Sequence, residues 1–292
     1  MDDSILLPVD GSASSVAAAE HAIAIARATG ATVHVLAVHE PTDFEHLPAD
    51  EREPLRQATE ARSREAANLV ADRVDNAGVT AVRTVREGVP YRVIIDVVAE
   101  TDTELIVMGT RGLTAARETV TRVGVTTGRV LTLTDVPVLA VPLGGRQWAD
   151  MDPTGPNRVV IPTDGSDAAE RAAKCALELA TYSRGAVDVI SIIDETTPAL
   201  KGAPAAIIEL CREGGHDAIE PIAIAARNRD LSVTADVVHG VPHDAIVSYA
   251  AAVDADLIAM GSRGLATADE PLLGSTTVRV LERSDRPVLA VR

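Results

Sequence analysis

The sequence predicts an α/β fold of two tandem five-stranded parallel sheets, each flanked by helices. Three observations predict it. Short β-branched runs alternate with longer helical stretches along the 292 residues, and strands joined by helical crossovers lie parallel. Aromatic residues make up 2% of the chain against an apolar fraction of 46%, so Val, Ile, Leu and Ala build the core, as in a parallel sheet buried on both faces. The chain also repeats itself. Residues 5–12 (ILLPVDGS) return as 159–166 (VVIPTDGS), 87–90 (EGVP) as 239–242 (HGVP), 105–112 (LIVMGTRG) as 257–264 (LIAMGSRG), and 137–141 (PVLAV) as 287–291. The offset narrows only from 154 to 150 residues, the mark of a duplication.

In the first copy the order reads strand 4–9, helix 12–29, strand 32–39 and a long helix 51–77. Strand 80–86, helix 91–101, strand 104–108, helix 125–134 and strand 136–141 follow. The second copy keeps the order, except that Gly214 and Gly215 interrupt its counterpart of the long helix, which should break or start late there. The first domain is thus residues 1–143 and the second 157–292. Between them residues 144–156 (GGRQWADMDPTGP) carry Gly, Pro and Asp without apolar period, a linker. Its Trp148, the chain's single tryptophan, either packs over the domain junction or sits exposed.

The charge balance excludes several functions. Net charge is −16, and Lys174 and Lys201 are the only lysines among 27 basic residues. Such a surface repels nucleic acid and anionic membranes, and stays soluble when salt screens its charges. The composition resembles that of proteins from salt-accumulating halophiles, haloarchaea among them. No run of about 18 apolar residues suggests a membrane span, and the start Met1-Asp2-Asp3-Ser4 lacks a secretory pattern; a cytoplasmic protein is expected. Cys175 and Cys211 make no disulfide framework and read as small buried helix side chains.

Two elements can carry chemistry. The first is the strand-to-helix turn around Asp10 and around Pro162, Thr163 and Asp164. It is either a turn capped by Ser12 and Ser166 or a carboxylate at a strand end that accepts bonds from a ligand. The second follows an apolar strand: Met260-Gly261-Ser262-Arg263-Gly264, then nine residues, then Gly274-Ser275-Thr276-Thr277 opening a helix. Glycines bring backbone N–H groups close to a ligand, a helix N-terminus binds phosphate, and hydroxyls of Ser275, Thr276 and Thr277 can add contacts. Arg111 and Arg263 either clamp a phosphate or face solvent.

Gly261, Gly264 and the Gly274-Ser275 pair resemble the ATP-binding signature of the universal stress protein family, and the resemblance extends over both repeats. It implies an adenine nucleotide alpha hydrolase-like sheet in the order 3-2-1-4-5, with the ligand at the switch point between the first and fourth strands. It implies that Asp164 and the backbone near Ile192 hold the adenosine of ATP, or else of ADP or AMP. The Met260–Gly264 loop and residues 274–277 would take the phosphates, and the phosphates any Mg²⁺. It also implies that the two terminal strands pair, making the chain an intramolecular pseudo-dimer; a further homodimer is left open.

The first copy departs from the signature. Gly109 and Gly112 are present, but eleven residues separate Gly112 from Gly124, and Val125 stands where the family has Ser or Thr. The longer loop should misplace the helix end. The Asp10, Gly109, Gly112, Gly124 and Thr126 set is therefore the weaker site, with Thr126 a substitute hydroxyl. No Gly-x-x-x-x-Gly-Lys loop or dinucleotide Gly-x-Gly-x-x-Gly occurs, and His239 and His243 leave their turn in different directions, unlike metal ligands. No catalytic residue is expected. The reading is a regulatory ATP-binding stress-response protein, with a nucleotide-free scaffold or a slow ATP hydrolase as alternatives.

Overall fold

A computed structural model describes the chain apart from residues 1–3, 41–47, 113–122, 146–147, 149–154, 195, 198–199, 201 and 265–271. The first repeat runs β1 (Ser4–Val9), α1 (Ala13–Thr29), β2 (Thr32–His39), α2 (Ala49–Asn76), β3 (Ala81–Glu87), α3 (Pro90–Glu100), β4 (Leu105–Gly109), α4 (Val125–Leu133) and β5 (Val138–Val141). The second runs β6 (Arg158–Pro162), α5 (Asp167–Ser183), β7 (Ala186–Asp194), α6 (Ala205–Arg227), β8 (Ser232–Gly240), α7 (Pro242–Ala252), β9 (Leu257–Gly261), α8 (Ser275–Arg283) and β10 (Val288–Val291).

Local chemistry sets the helix ends. Ser12 accepts the Ser15 N–H and Ser166 accepts the Ala169 N–H, each satisfying a free donor in the first turn. Proline at the first position, where no N–H is needed, opens α3 and α7. Along the strands alternate residues face opposite sides. Ile5, Leu7, Val33, Val35 and Val107 pack under α1 and α2, whereas Leu6, Leu36, Ile106 and Met108 pack under α3 and α4.

Each repeat keeps the strand order 3-2-1-4-5, but the two sheets are one. The ten strands run β3-β2-β1-β4-β5-β10-β9-β6-β7-β8. The expectation of two five-stranded sheets is corrected to one sheet, and the terminal strands β5 and β10 pair as the family resemblance implied, antiparallel through Val288↔Ala140, Leu289↔Leu139 and Ala290↔Val138. Both strands are buried throughout, and an apolar strand with an open edge is most stable when that edge is paired. All pairing within a repeat is parallel. The antiparallel seam therefore points the carboxyl ends of the two repeats' strands in opposite directions.

Two further expectations change. α6 runs unbroken through Gly214 and Gly215. Gly215 is there because the helix lies close on the sheet: a Cβ would meet Val237 at 3.2 Å and Ser191 at 3.4 Å. Cys175 and Cys211 are half-buried rather than buried, and burial pushes the Cys175 thiol up to about 11, which leaves it protonated and unreactive at neutral pH. Trp148 resolves to the junction. It is fully buried, its ring centroid lies 4.7 Å from that of His21 on α1, and its Nε1–H donates to the Asp256 carbonyl of repeat two at 3.2 Å.

Candidate functional site

In each repeat β1 or β6 lies between its two neighbours at the switch point of the sheet, and the chain leaves it through a tight turn. In repeat two Gly165 takes φ +78, a conformation that excludes a side chain at little cost only for glycine. The turn is locked by Thr163 N–H to the Ile190 carbonyl (2.8 Å), Gly165 N–H to Thr163 Oγ1 (3.1 Å) and Ser166 N–H to Asp164 Oδ1 (3.1 Å). The second carboxylate oxygen of Asp164 then lies over the loop after β9. A Cβ on Gly264 would fall 2.6 Å from Asp164 Oδ2, so a side chain there would displace the carboxylate or the loop. Gly261 fits against the start of α5 for the same reason, with Ala169 N at 2.9 Å from where its Cβ would be.

Two hydrogen bonds hold the start of α8 to this loop. Gly274 N–H donates to the Ser262 carbonyl at 2.8 Å, and Thr277 Oγ1 donates to the Gly261 carbonyl at 2.9 Å. The Thr277 hydroxyl is buried in that contact, whereas Ser275 is exposed and Thr276 half-buried at the helix start. No side chain caps α8, which leaves its first N–H groups available to an anion. Met260 and Pro162 are buried beneath the crevice and Ile192 is half-buried on β7. Ser262 Oγ and the Arg263 Nη2 are shut away from solvent and have no hydrogen-bond partner among the described residues. A buried polar atom without a partner is costly, and two on one loop mark a place where a polar ligand would be welcome. Ser262 was not singled out from the sequence; the signal was there, since Thr110 puts a hydroxyl at the same place in the other copy.

Repeat one reproduces the frame. Ser12 N–H donates to Asp10 Oδ1 at 2.9 Å, and a Cβ on Gly112 would fall 2.7 Å from Asp10 Oδ2. Gly124 N–H donates to the Thr110 carbonyl at 2.7 Å and Thr127 Oγ1 to the Gly109 carbonyl at 2.9 Å. The expected misplacement of the helix start is thus corrected. The same two clamps close at nearly the same lengths, while residues 113–122 of the longer connection lie outside the described residues. Side chains set the two crevices apart. Val125, 74% exposed, opens α4 where Ser275 opens α8, with Thr126 half-buried beside it. Ser14 stands where repeat two has Ala168, and its hydroxyl donates to the Arg111 carbonyl of the glycine loop.

Comparison with known proteins agrees with this architecture. A universal stress protein of Methanocaldococcus jannaschii, MJ0531, is 35% identical over 139 residues, covering 46% of this chain and 81% of the relative. A second from that organism, MJ0577, is 28% identical over 152 residues, covering 46% of this chain and 94% of the relative. The crystal structure of a universal stress protein from Archaeoglobus fulgidus matches the fold with a TM-score of 0.71 at 24% identity, covering 99% of this chain and 96% of that one. The universal stress protein family matches residues 1–142 and again residues 156–292, and with both halves of its sheet accounted for the chain belongs to that family.

Proposed function

We infer that the crevice of repeat two binds an adenine nucleotide, ATP foremost, and that its occupancy regulates a stress-response role carried out by a two-domain chain. The observation that carries this reading is the pair of solvent-excluded, partnerless polar groups, Ser262 Oγ and Arg263 Nη2, on a loop clamped to an uncapped helix start. Phosphate oxygens would satisfy both groups and the first N–H groups of α8, with Ser275 and Thr276 hydroxyls adding to them. Asp164, with Thr163 behind it, faces the same crevice across Gly264 and suits the ribose hydroxyls; Ile192 and the Met260–Pro162 floor suit the base. Thr277 serves by holding Gly261 in place. Mg²⁺ enters through the phosphates that carry it. Asp10, Gly109, Gly112, Gly124 and Thr126 form the weaker crevice of repeat one.

The test is calorimetric titration of Mg-ATP into the full chain in molar KCl, beside Gly274→Val, whose side chain would press on the Ser262 carbonyl 3.1 Å from its Cβ. One site, removed by the substitution, is expected. Two sites of equal strength would remove the preference for repeat two, and absence of binding would move the function to a nucleotide-free scaffold.

A further inference from the structure

Away from both crevices, repeat two buries a group that the nucleotide reading leaves unused. Asp188 on β7 is 2% exposed, and its Oδ2 has no hydrogen-bond partner. The nearest cation, Arg158 of β6, holds its Nε 3.8 Å away, beyond hydrogen-bond reach. From β8, Thr234 pairs in register with Asp188 and Asp236 with Ile190, one pleat further along the same face. From α7, Tyr249 Oη donates to Asp236 Oδ2 at 2.7 Å and so ties α7 to β8 beside Asp188. The groups facing Asp188 are therefore Arg158 from β6, Thr234 and Asp236 from β8 and Tyr249 from α7.

A proton count follows from this arrangement. Tyr249 has one hydroxyl proton and gives it to Asp236, so that proton is not available to satisfy the Asp188 carboxyl. Buried with an oxygen left without a partner, Asp188 is accommodated at least cost in the uncharged acid form. Burial also pushes the Asp188 carboxyl up, against the pull of Arg158, and burial together with Asp236 pushes the Tyr249 phenol up, so the tyrosine keeps its own proton.

We propose that the Asp188–Tyr249–Asp236 cluster holds one proton on Asp188 in the folded chain and that its loss loosens β8 and α7, making this corner of repeat two a proton-sensitive joint. The sign is fixed by linkage. A carboxyl whose folded affinity for protons is raised contributes stability at acid pH, below its unfolded titration, and that contribution is lost as pH rises through the folded titration. Among the described residues repeat one has no such cluster at the matching place. His34 occupies the place of Asp188, paired in register with Val82, while Thr84 and Val97 stand at the positions of Asp236 and Tyr249, and burial pushes that imidazole down, toward its neutral form.

The experiment is an NMR titration of the full chain labelled with ¹³C in aspartate carboxyls, Asp188→Asn identifying the resonance, with amide hydrogen exchange followed over the same pH range. Asp188 should titrate above every exposed aspartate of the chain, and Asp236→Asn, which removes the neighbouring negative charge, should bring it down. Exchange in β8 and α7, corrected for the intrinsic rate, should speed up through that transition, while β1 and β2 stay protected. Titration of Asp188 among the exposed aspartates, or no movement on Asp236→Asn, overturns the proton assignment. Protection of β8 and α7 that does not change with pH overturns the joint. Asp236→Asn keeps the test decisive even where Asp188→Asn does not fold.

Discussion

Repeat one and repeat two offer a ligand nearly the same backbone and different side chains. The clamps Gly124–Thr110 and Gly274–Ser262 close at 2.7 and 2.8 Å, and Thr127–Gly109 and Thr277–Gly261 both at 2.9 Å. Yet α4 begins with an exposed valine and α8 with an exposed serine, and only repeat one ties its glycine loop to the first helix through Ser14. The comparison teaches that spacing between motif glycines is a poor guide to geometry. Two extra loop residues were absorbed without moving the helix, because the helix is held by hydrogen bonds to the loop's own start. Among the described residues, what separates the crevices is the side chain at one helix position and the Ser14 hydrogen bond to one glycine loop.

The sharpest way to break the comparison is Gly264→Val. Its Cβ would sit 2.6 Å from the Asp164 carboxylate, so either the loop or the carboxylate must leave its position. On the proposed function, nucleotide affinity in repeat two should fall by more than about a hundredfold, close to 3 kcal/mol, while Gly112→Val should scarcely alter binding there. Titrating both variants with Mg-ATP checks this; equal losses would mean that the two crevices bind as one unit. Next in size is the reciprocal exchange of helix openers. A hydrogen bond to a charged group is worth about 1.5–3 kcal/mol, so Ser275→Val should weaken repeat two by about ten- to a hundredfold, and Val125→Ser should strengthen repeat one by the same order. Should Val125→Ser leave repeat one unchanged, the valine would not be the controlling difference.

The acid excess bears on the whole molecule rather than on one half. A net charge of −16 repels itself, whereas exposed ion pairs such as Arg83–Asp75 and Arg227–Glu220 are each worth at most about 1 kcal/mol. Salt weakens both, and with so large an imbalance relief of repulsion should win. The unfolding midpoint should rise by several degrees between low salt and molar KCl, read by circular dichroism, and an unchanged midpoint would remove the halophile reading of the composition.

Much of this was legible in the sequence because it is written in local patterns. The duplicated strand-turn and glycine-loop segments identified both the fold and the two crevices, and Ser12 and Ser166 cap as their positions predict. What escaped depends on partners distant in the chain. Gly214 and Gly215 looked like a helix break, but Gly215 is a close contact with Val237 across the sheet, and propensity gives way when packing favours the helix. Trp148 was undecided until His21 and Asp256, which lie 127 and 108 residues away, closed around it. The β5–β10 pairing that merges two sheets into one was implied by the family resemblance, since a choice of edge partner is something no periodicity records. Asp188 reads as one polar residue in an apolar strand, and only the neighbouring strand and α7 reveal why it is buried.

Ser14 provides the smallest and most specific test of the comparison. Its hydroxyl holds the Arg111 carbonyl, and its backbone and side chain fill the space that a Cβ on Gly109 would need, at 2.8 Å. Ser14→Ala copies Ala168 of repeat two and removes the tether while keeping the packing. Loss of one hydrogen bond should lower stability by about 1 kcal/mol, which for a chain of this size shifts Tm by about 2–4 °C. The more telling measurement is amide exchange at Thr110, Arg111 and Gly112, which should rise toward the rates of Ser262, Arg263 and Gly264. Combined with Val125→Ser, the substitution gives repeat one the helix opener and loop freedom of repeat two. If the double variant then binds Mg-ATP at two comparable sites, those two side chains account for the difference between the crevices; if it binds at one, the difference lies in the 113–123 loop.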